Sequence, residues 1–195
     1  MIIESSLLLK EIIIFPELFL GMSLIYLTLH CSFLTVKQSY PLIYTSVVYL
    51  GFLVLILAFC LLVNDNLEAQ NVGSFYNTLV TDYSSFLSKA IITILAGLCL
   101  LAIEPYLKAQ KINNFEYILL VLFSVLGLFL LCSANDLITT YLAIELQSLS
   151  FYVLASFKRQ STFSTNSGVK YFILGAFASC LFLLGSSLLY GVSRI

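Results

Sequence analysis

Tryptophan is absent from this 195-residue chain, histidine occurs once, proline three times, and only 10% of the residues are charged. Soluble domains carry about 25% charged residues, so this surface was not built for water. So apolar a composition excludes a nucleic-acid binder, whereas the net charge of −1, from nine Lys and Arg against ten Asp and Glu, says nothing about a polyanionic partner. With 61% hydrophobic residues, disorder is excluded as well. The five cysteines, at positions 31, 60, 99, 132 and 180, are scattered rather than clustered. Disulfide scaffolds and metal, haem or iron–sulfur sites need grouped ligands, so each Cys reads as a small apolar packing residue. His30 reads as a packing or interfacial side chain. No glycine-rich phosphate loop and no nucleophile–base arrangement is present, so neither redox chemistry nor hydrolysis is expected from this polypeptide alone.

What the chain does have is apolar length, with 16 Phe, 12 Tyr and a mean hydropathy of +1.04. A bilayer core of about 30 Å takes roughly 20 apolar residues per helix. Six stretches qualify: Pro16–Thr35, Leu42–Val63, Lys89–Leu107, Phe115–Ala134, Leu137–Phe157 and Val169–Val192. They are continuously apolar rather than alternating, which excludes a transmembrane β-barrel. The expected fold is therefore all-α, a polytopic transmembrane bundle of about six spans. Asn135-Asp136 alone separates the fourth span from the fifth, which predicts a tight antiparallel pair. Met1–Lys10 has no basic n-region, so the first stretch is expected to be a retained helix rather than a signal peptide. Pro16 would sit in its first turn and Ile12–Phe15 in the headgroup zone. Two regions are expected: 1–114, with three spans and an outer loop at 64–88, and 115–195, with the other three. There is no internal repeat, low-complexity tract or soluble domain.

An even number of spans places both termini on one side. Lys37, Lys108, Lys111, Lys158, Arg159 and Lys170 fall on the other, against Lys10, Lys89 and Arg194 with the termini. Glu4, Glu11, Asp65, Glu68, Asp82 and Asp136 share the terminal side, and the positive-inside rule turns it away from cytoplasm or matrix. In the long connection Asn64–Ser88, the residues Phe75, Leu79, Tyr83 and Phe86 recur at helical spacing. Either a short interfacial helix or an irregular loop with aromatics dipping into headgroups would produce this pattern.

Ionisable groups in the spans each need a reason. Glu17, directly after Pro16, is expected to complement the dipole of its helix and reach the headgroups. Glu104, beside Pro105 and four residues before Lys108, fits an interfacial location. Glu145 is different: it lies about 12 Å along the fifth span from Leu137, too deep for so short a side chain to snorkel. Tyr141, Glu145, Ser148 and Tyr152 recur at i, i+4, i+7 and i+11 and form one polar stripe, bordered by Gln147 and Ser150. Such a stripe must face protein or water. Glu145 is the candidate proton-handling residue, and Tyr141, Ser148 and Tyr152 are its supporting polar face. The bland alternative is a carboxyl locked by hydrogen bonds for helix packing. All nine Lys and Arg map to loops or helix ends, so a cation for Glu145 would have to come from elsewhere. In the sixth span, Gly175-x-x-x-Ser179 reads as a close-packing face.

From Phe115 onward the segment FEYILLVLFSVLGLFLLCSANDLITTYLAIELQSLSFYVLASFKR, followed by STNSGVKYFILGAFASCLFLLGSSLLYG, resembles NADH dehydrogenase subunit 2. That family is an antiporter-like membrane subunit of respiratory complex I. YLAIELQSLSFYVLASFKR is the most specific piece and KYFILGAFAS the second, while FPELFL resembles the family's opening helix. The likeness is strong over 115–192 and weaker but collinear over 1–114. It implies that Glu145 is the family's fifth-helix glutamate, paired in the family with a lysine on a broken seventh helix. Family members have about fourteen helices, including two inverted five-helix repeats. This chain would supply the first six, with 115–195 as the start of the first repeat.

The resemblance further implies a core membrane-arm subunit, here an N-terminal portion, of a proton-pumping NADH:ubiquinone oxidoreductase. The chain itself would hold no cofactor, with NADH, FMN, iron–sulfur clusters and ubiquinone belonging to other subunits. Partners would be other hydrophobic complex I membrane subunits, membrane lipid and no nucleic acid. The remaining helices are expected from a separate chain, against a lineage-specific truncation or a longer chain of which this is a portion. The expected location is the mitochondrial inner membrane, with termini on the intermembrane-space side. Two alternatives stand: a structural or assembly scaffold without pumping, and a homologous plastid dehydrogenase or cation/proton antiporter subunit. The ELQS after Ile144 is closer to the mitochondrial form.

Overall fold

A computed structural model describes residues 15–35, 40–65, 72–75, 77–110 and 114–193. The helices are α1 (Phe15–Thr35), α2 (Tyr40–Asp65), α3 (Tyr83–Ala109), α4 (Glu116–Ser133), α5 (Leu137–Ala155) and α6 (Thr162–Ser193). A hairpin of β1 (Val72–Ser74) and β2 (Leu79–Thr81) lies between α2 and α3. Each helix is long and apolar enough to cross a membrane. Even α4, the shortest at 18 residues, extends about 27 Å at 1.5 Å per residue.

Local chemistry sets the helix starts. Pro16 occupies the first turn of α1, where its missing N–H costs nothing. The N–H of Asp82 donates to Ser85 Oγ at 2.9 Å, and that of Asp136 to Thr139 Oγ1 at 3.2 Å, which start α3 and α5. These caps sharpen turns that the apolar pattern alone leaves soft.

The core sits among α1–α4. Leu20, Leu24, Leu27 and Cys31 make the buried stripe of α1, against Val47, Val48, Leu55 and Ala58 of α2 and Leu122, Val125 and Phe129 of α4. Leu100 and Leu107 of α3 complete it. Opposite that stripe, Leu18, Met22, Ile25, Leu29 and Phe33 are just as apolar but exposed. A helix that is apolar all round fits lipid, where cohesion comes from close packing rather than from expelling water. Outside the core, α5 packs on α4 and α6 packs on α5. Ser164 Oγ donates to the carbonyl of Ala155 at 2.9 Å and ties the start of α6 to the end of α5.

All six spans fall where the apolar runs place them, with two extensions. Helix α3 begins at Tyr83 rather than Lys89, because the Asp82–Ser85 cap nucleates it earlier. Helix α6 begins at Thr162, since its polar first turns continue the helix beyond the apolar run. Over 75–86 the structure corrects both readings. Leu79 belongs to a strand paired antiparallel with β1, whereas Tyr83 and Phe86 open α3. The helical spacing is thus a coincidence across two elements. The turn needs left-handed backbone at Phe75 (φ 45°) and Asn77 (φ 66°), of which only Asn adopts it readily. The Thr78 N–H donates to the Phe75 carbonyl at 3.2 Å and closes it.

The hairpin lies against the α4–α5 turn. Leu79 bridges Ala134, the Asn135 N–H donates to the Thr78 carbonyl at 2.9 Å, and Asn135 Nδ2 donates to the Asn77 carbonyl at 2.9 Å. Several readings concern residues outside those described: the headgroup placement of Ile12–Ile14, the charges at Glu4, Lys10, Glu11, Lys37, Glu68, Lys111 and Arg194, and the Met1–Lys10 segment. Phe15, the last residue of that headgroup segment, is exposed at the start of α1.

Candidate proton-handling site

Glu145 lies near the middle of α5 and is half-buried. Its stripe faces α6. Tyr141 stacks on Phe182 with ring centroids 6.2 Å apart, and Tyr152 meets Tyr171 and Phe172 edge-on at 4.9 and 5.6 Å. Gly175 of α6 leaves room for the Tyr152 ring, which occupies the space a Cβ there would need. This is the close-packing use that small residues allow, and it engages Gly175 of the Gly175/Ser179 pair. Ser148 spends its hydroxyl on the carbonyl of Glu145 at 3.0 Å, a bond within the helix. Among the described residues the ion pairs are Lys89–Glu17 and Lys108–Glu104, and Glu145 enters neither.

The other side of α5 meets α4 closely. A Cβ on Gly127 would stand 2.9 Å from the backbone nitrogen of Gln147, so only glycine permits this approach. Gln147 is therefore a contact residue with α4, and Glu145 is left on the side shared with α6.

Two sequence expectations are overturned at the start of α1. Glu17 does not reach the headgroups; it is 5% exposed and accepts a hydrogen bond from Lys89, itself only 2% exposed. Ser133, the last residue of α4, donates to the same oxygen, Oε1, at 3.0 Å. Lys89 likewise is not a helix-end cation. It lies about 9 Å along α3 from Tyr83, because α3 starts earlier than the apolar run. A visible signal pointed this way: Ser85, Lys89 and Thr93 recur at i, i+4 and i+8, and all three are buried on one face. Glu104 pairs with the exposed Lys108 one turn on. His30 stacks on Tyr26 with centroids 5.8 Å apart, a packing role. Among the described residues no group of His, Cys, Asp and Glu could hold a metal ion.

Six apolar helices, a buried ion pair and a half-buried acid in mid-span define a polytopic membrane bundle with intramembrane charge. The family described as NADH:quinone oxidoreductase/Mrp antiporter, TM, matches residues 134–194, which include Glu145. The chain is 40% identical over 185 residues to NADH-ubiquinone oxidoreductase chain 2 of Marchantia polymorpha, covering 93% of this chain and 37% of that protein. It is 41% identical over 181 residues to NADH-quinone oxidoreductase subunit N of Pelagibacter ubique, covering 92% and 37%. A chain of respiratory complex I from Thermus thermophilus with bound aureothin superposes at TM-score 0.71 and 26% identity, covering 90% of this chain and 36% of that one. Over most of its length the chain is similar to these antiporter-like membrane subunits of NADH:quinone oxidoreductases, and it spans about 37% of the length of those curated relatives.

Proposed function

We propose that this chain is part of the proton-translocating membrane arm of an NADH:quinone oxidoreductase and that Glu145 is its proton-handling group. The observation that carries the reading is a carboxyl halfway along α5, on the α6-facing stripe, with no cation partner among the described residues. An uncompensated carboxylate in a low-dielectric surround responds strongly to nearby charge. Approach of a positive group favours the ionised form, and its withdrawal favours the protonated acid. Coupled to electron transfer elsewhere, that alternation moves a proton.

Tyr141 and Tyr152 set the orientation of the Glu145 face by packing on α6, and Ser148 holds the backbone between them. The cation would come from helices beyond these six, either on another chain or on a continuation of this one. NADH, flavin, iron–sulfur and quinone chemistry would belong to other subunits. Plant relatives named NADH-ubiquinone oxidoreductase chain 2 support a mitochondrial inner-membrane location, and the excess of Lys and Arg in the loops opposite the termini supports termini in the intermembrane space. In the assembled complex, Glu145→Gln should lower the protons moved per electron pair while NADH oxidation by quinone continues. An unchanged ratio would reduce this stripe to a scaffold.

A further inference from the structure

The ion pair between α1 and α3 is not used by the mechanism above, yet it is the most deeply buried charge in the described structure. Lys89 and Glu17 are 2% and 5% exposed, and their partner Ser133 is 3% exposed. Three helices converge there: Glu17 from α1, Lys89 from α3 and Ser133 from α4. Burying two charges is costly, and apolar residues of similar volume often hold such a position as well or better. As packing alone the pair is therefore a poor choice. It is also incomplete. Both donors converge on Oε1, while Oε2 is buried with no hydrogen-bond partner. A carboxylate oxygen left this way needs a water or a proton.

We propose that Glu17 and Lys89 form a second proton-transfer site, loaded through Glu17 Oε2, at the hairpin-side end of the bundle. In the loading step a water-borne proton forms an O–H bond at Oε2, which gives a neutral acid beside an unpaired ammonium. Lys89 then loses one N–H proton to water. Transfer of the acid's proton to the resulting amine breaks the O–H bond, re-forms the N–H bond and restores the pair. One proton has entered and one has left. Among the described residues, Cys132 on α4 is a further titratable group within electrostatic range of both charges. Thr93 adds a hydroxyl one turn along α3, bonded to the Lys89 carbonyl at 3.1 Å.

The location suits entry or exit at one face. Ser133 touches Glu17, and the next residue, Ala134, bridges Leu79 of the hairpin. The pair therefore lies one residue beneath the hairpin's attachment, whereas Glu145 lies about 12 Å along α5 from its start. The site rests on the reading of the chain as part of a proton-translocating complex, but not on Glu145 being the group that works.

The test is the double variant Glu17→Leu/Lys89→Leu in the assembled complex, in sealed vesicles with NADH and quinone. Removing both charges leaves neither ion stranded, so assembly is expected. The proton-to-electron ratio should fall at least twofold at an undiminished electron-transfer rate. A ratio equal to wild type overturns the proposal and leaves the pair structural. Glu145→Gln, measured in parallel, separates the two readings, since either variant can lose pumping while the other retains it. A second measurement does not depend on assembly of the charge-free form. Redox-induced infrared difference spectra should show a protonated-carboxyl band in wild type that shifts in Glu17→Asp. Identical carboxyl regions in the two spectra overturn the proposal.

Discussion

Gly127 of α4 lies against the backbone of Gln147 on α5, so close that a Cβ would stand 2.9 Å from nitrogen and 3.1 Å from Cα. Backbone cannot step aside as a flexible side chain can. Gly127→Val should therefore force α4 and α5 apart, at a cost of about 1–3 kcal/mol, and shift the whole Tyr141–Tyr152 stripe. Thermal unfolding in detergent should show the loss, and Gly127→Ala should fall between valine and wild type. A valine variant as stable as wild type would mean that the helices do not approach this closely.

Of the side-chain bonds between the hairpin and the α4–α5 turn, the shorter can be removed without disturbing the backbone. Asn135→Ala deletes the Nδ2 bond to Asn77 but keeps the main-chain bond to Thr78. A loss of about 1 kcal/mol, or roughly fivefold in local opening, is expected. Hydrogen exchange across 72–81 should speed up accordingly, while exchange in the core of α4 stays unchanged. Equal acceleration in both segments would show that the hairpin is not a separate unit.

How legible the molecule was in its sequence depended on the kind of interaction. The six spans were plain, because lipid imposes length and apolarity on each helix alone. The stripe at Tyr141, Glu145, Ser148 and Tyr152 was plain as well, being a periodicity within one helix. The hairpin was hidden, because positions 75, 79, 83 and 86 mimic helical spacing while a turn, a strand and a helix share them. The Glu17–Lys89 pair was hidden for a different reason. Its members are 72 residues apart, and each sits near an apolar boundary, where a charge ordinarily reaches for the headgroups. Ser85, Lys89 and Thr93 on one face carried the missing hint, since such a row has no reason to face lipid.

The contact between Tyr152 and Gly175 gives the seating of α6 on α5 a direct test. Gly175→Leu fills the space of the Tyr152 ring and should displace α6. Tyr152→Ala vacates that space. The two changes combined should destabilise less than the sum of each alone, by about 0.5–3 kcal/mol. Strict additivity in thermal unfolding would mean that these residues do not meet.

Lys89 and Glu17 should be strongly coupled in stability. Lys89→Leu leaves a buried carboxylate without its cation, and Glu17→Leu leaves a buried ammonium without its anion. Each single change is expected to cost about 3–5 kcal/mol, the usual result of stranding one member of a buried pair. The double change removes both desolvation penalties and puts apolar volume in their place, so it should lie close to wild type. Ser133→Ala removes only the lesser bond to Oε1 and should cost about 1 kcal/mol. Thermal unfolding of the purified complex, or the yield of assembled subunit at one temperature, ranks the four variants. A double variant as unstable as the sum of its singles would show that the charges do not interact, and that α1, α3 and α4 are held at this end by the surrounding apolar contacts instead.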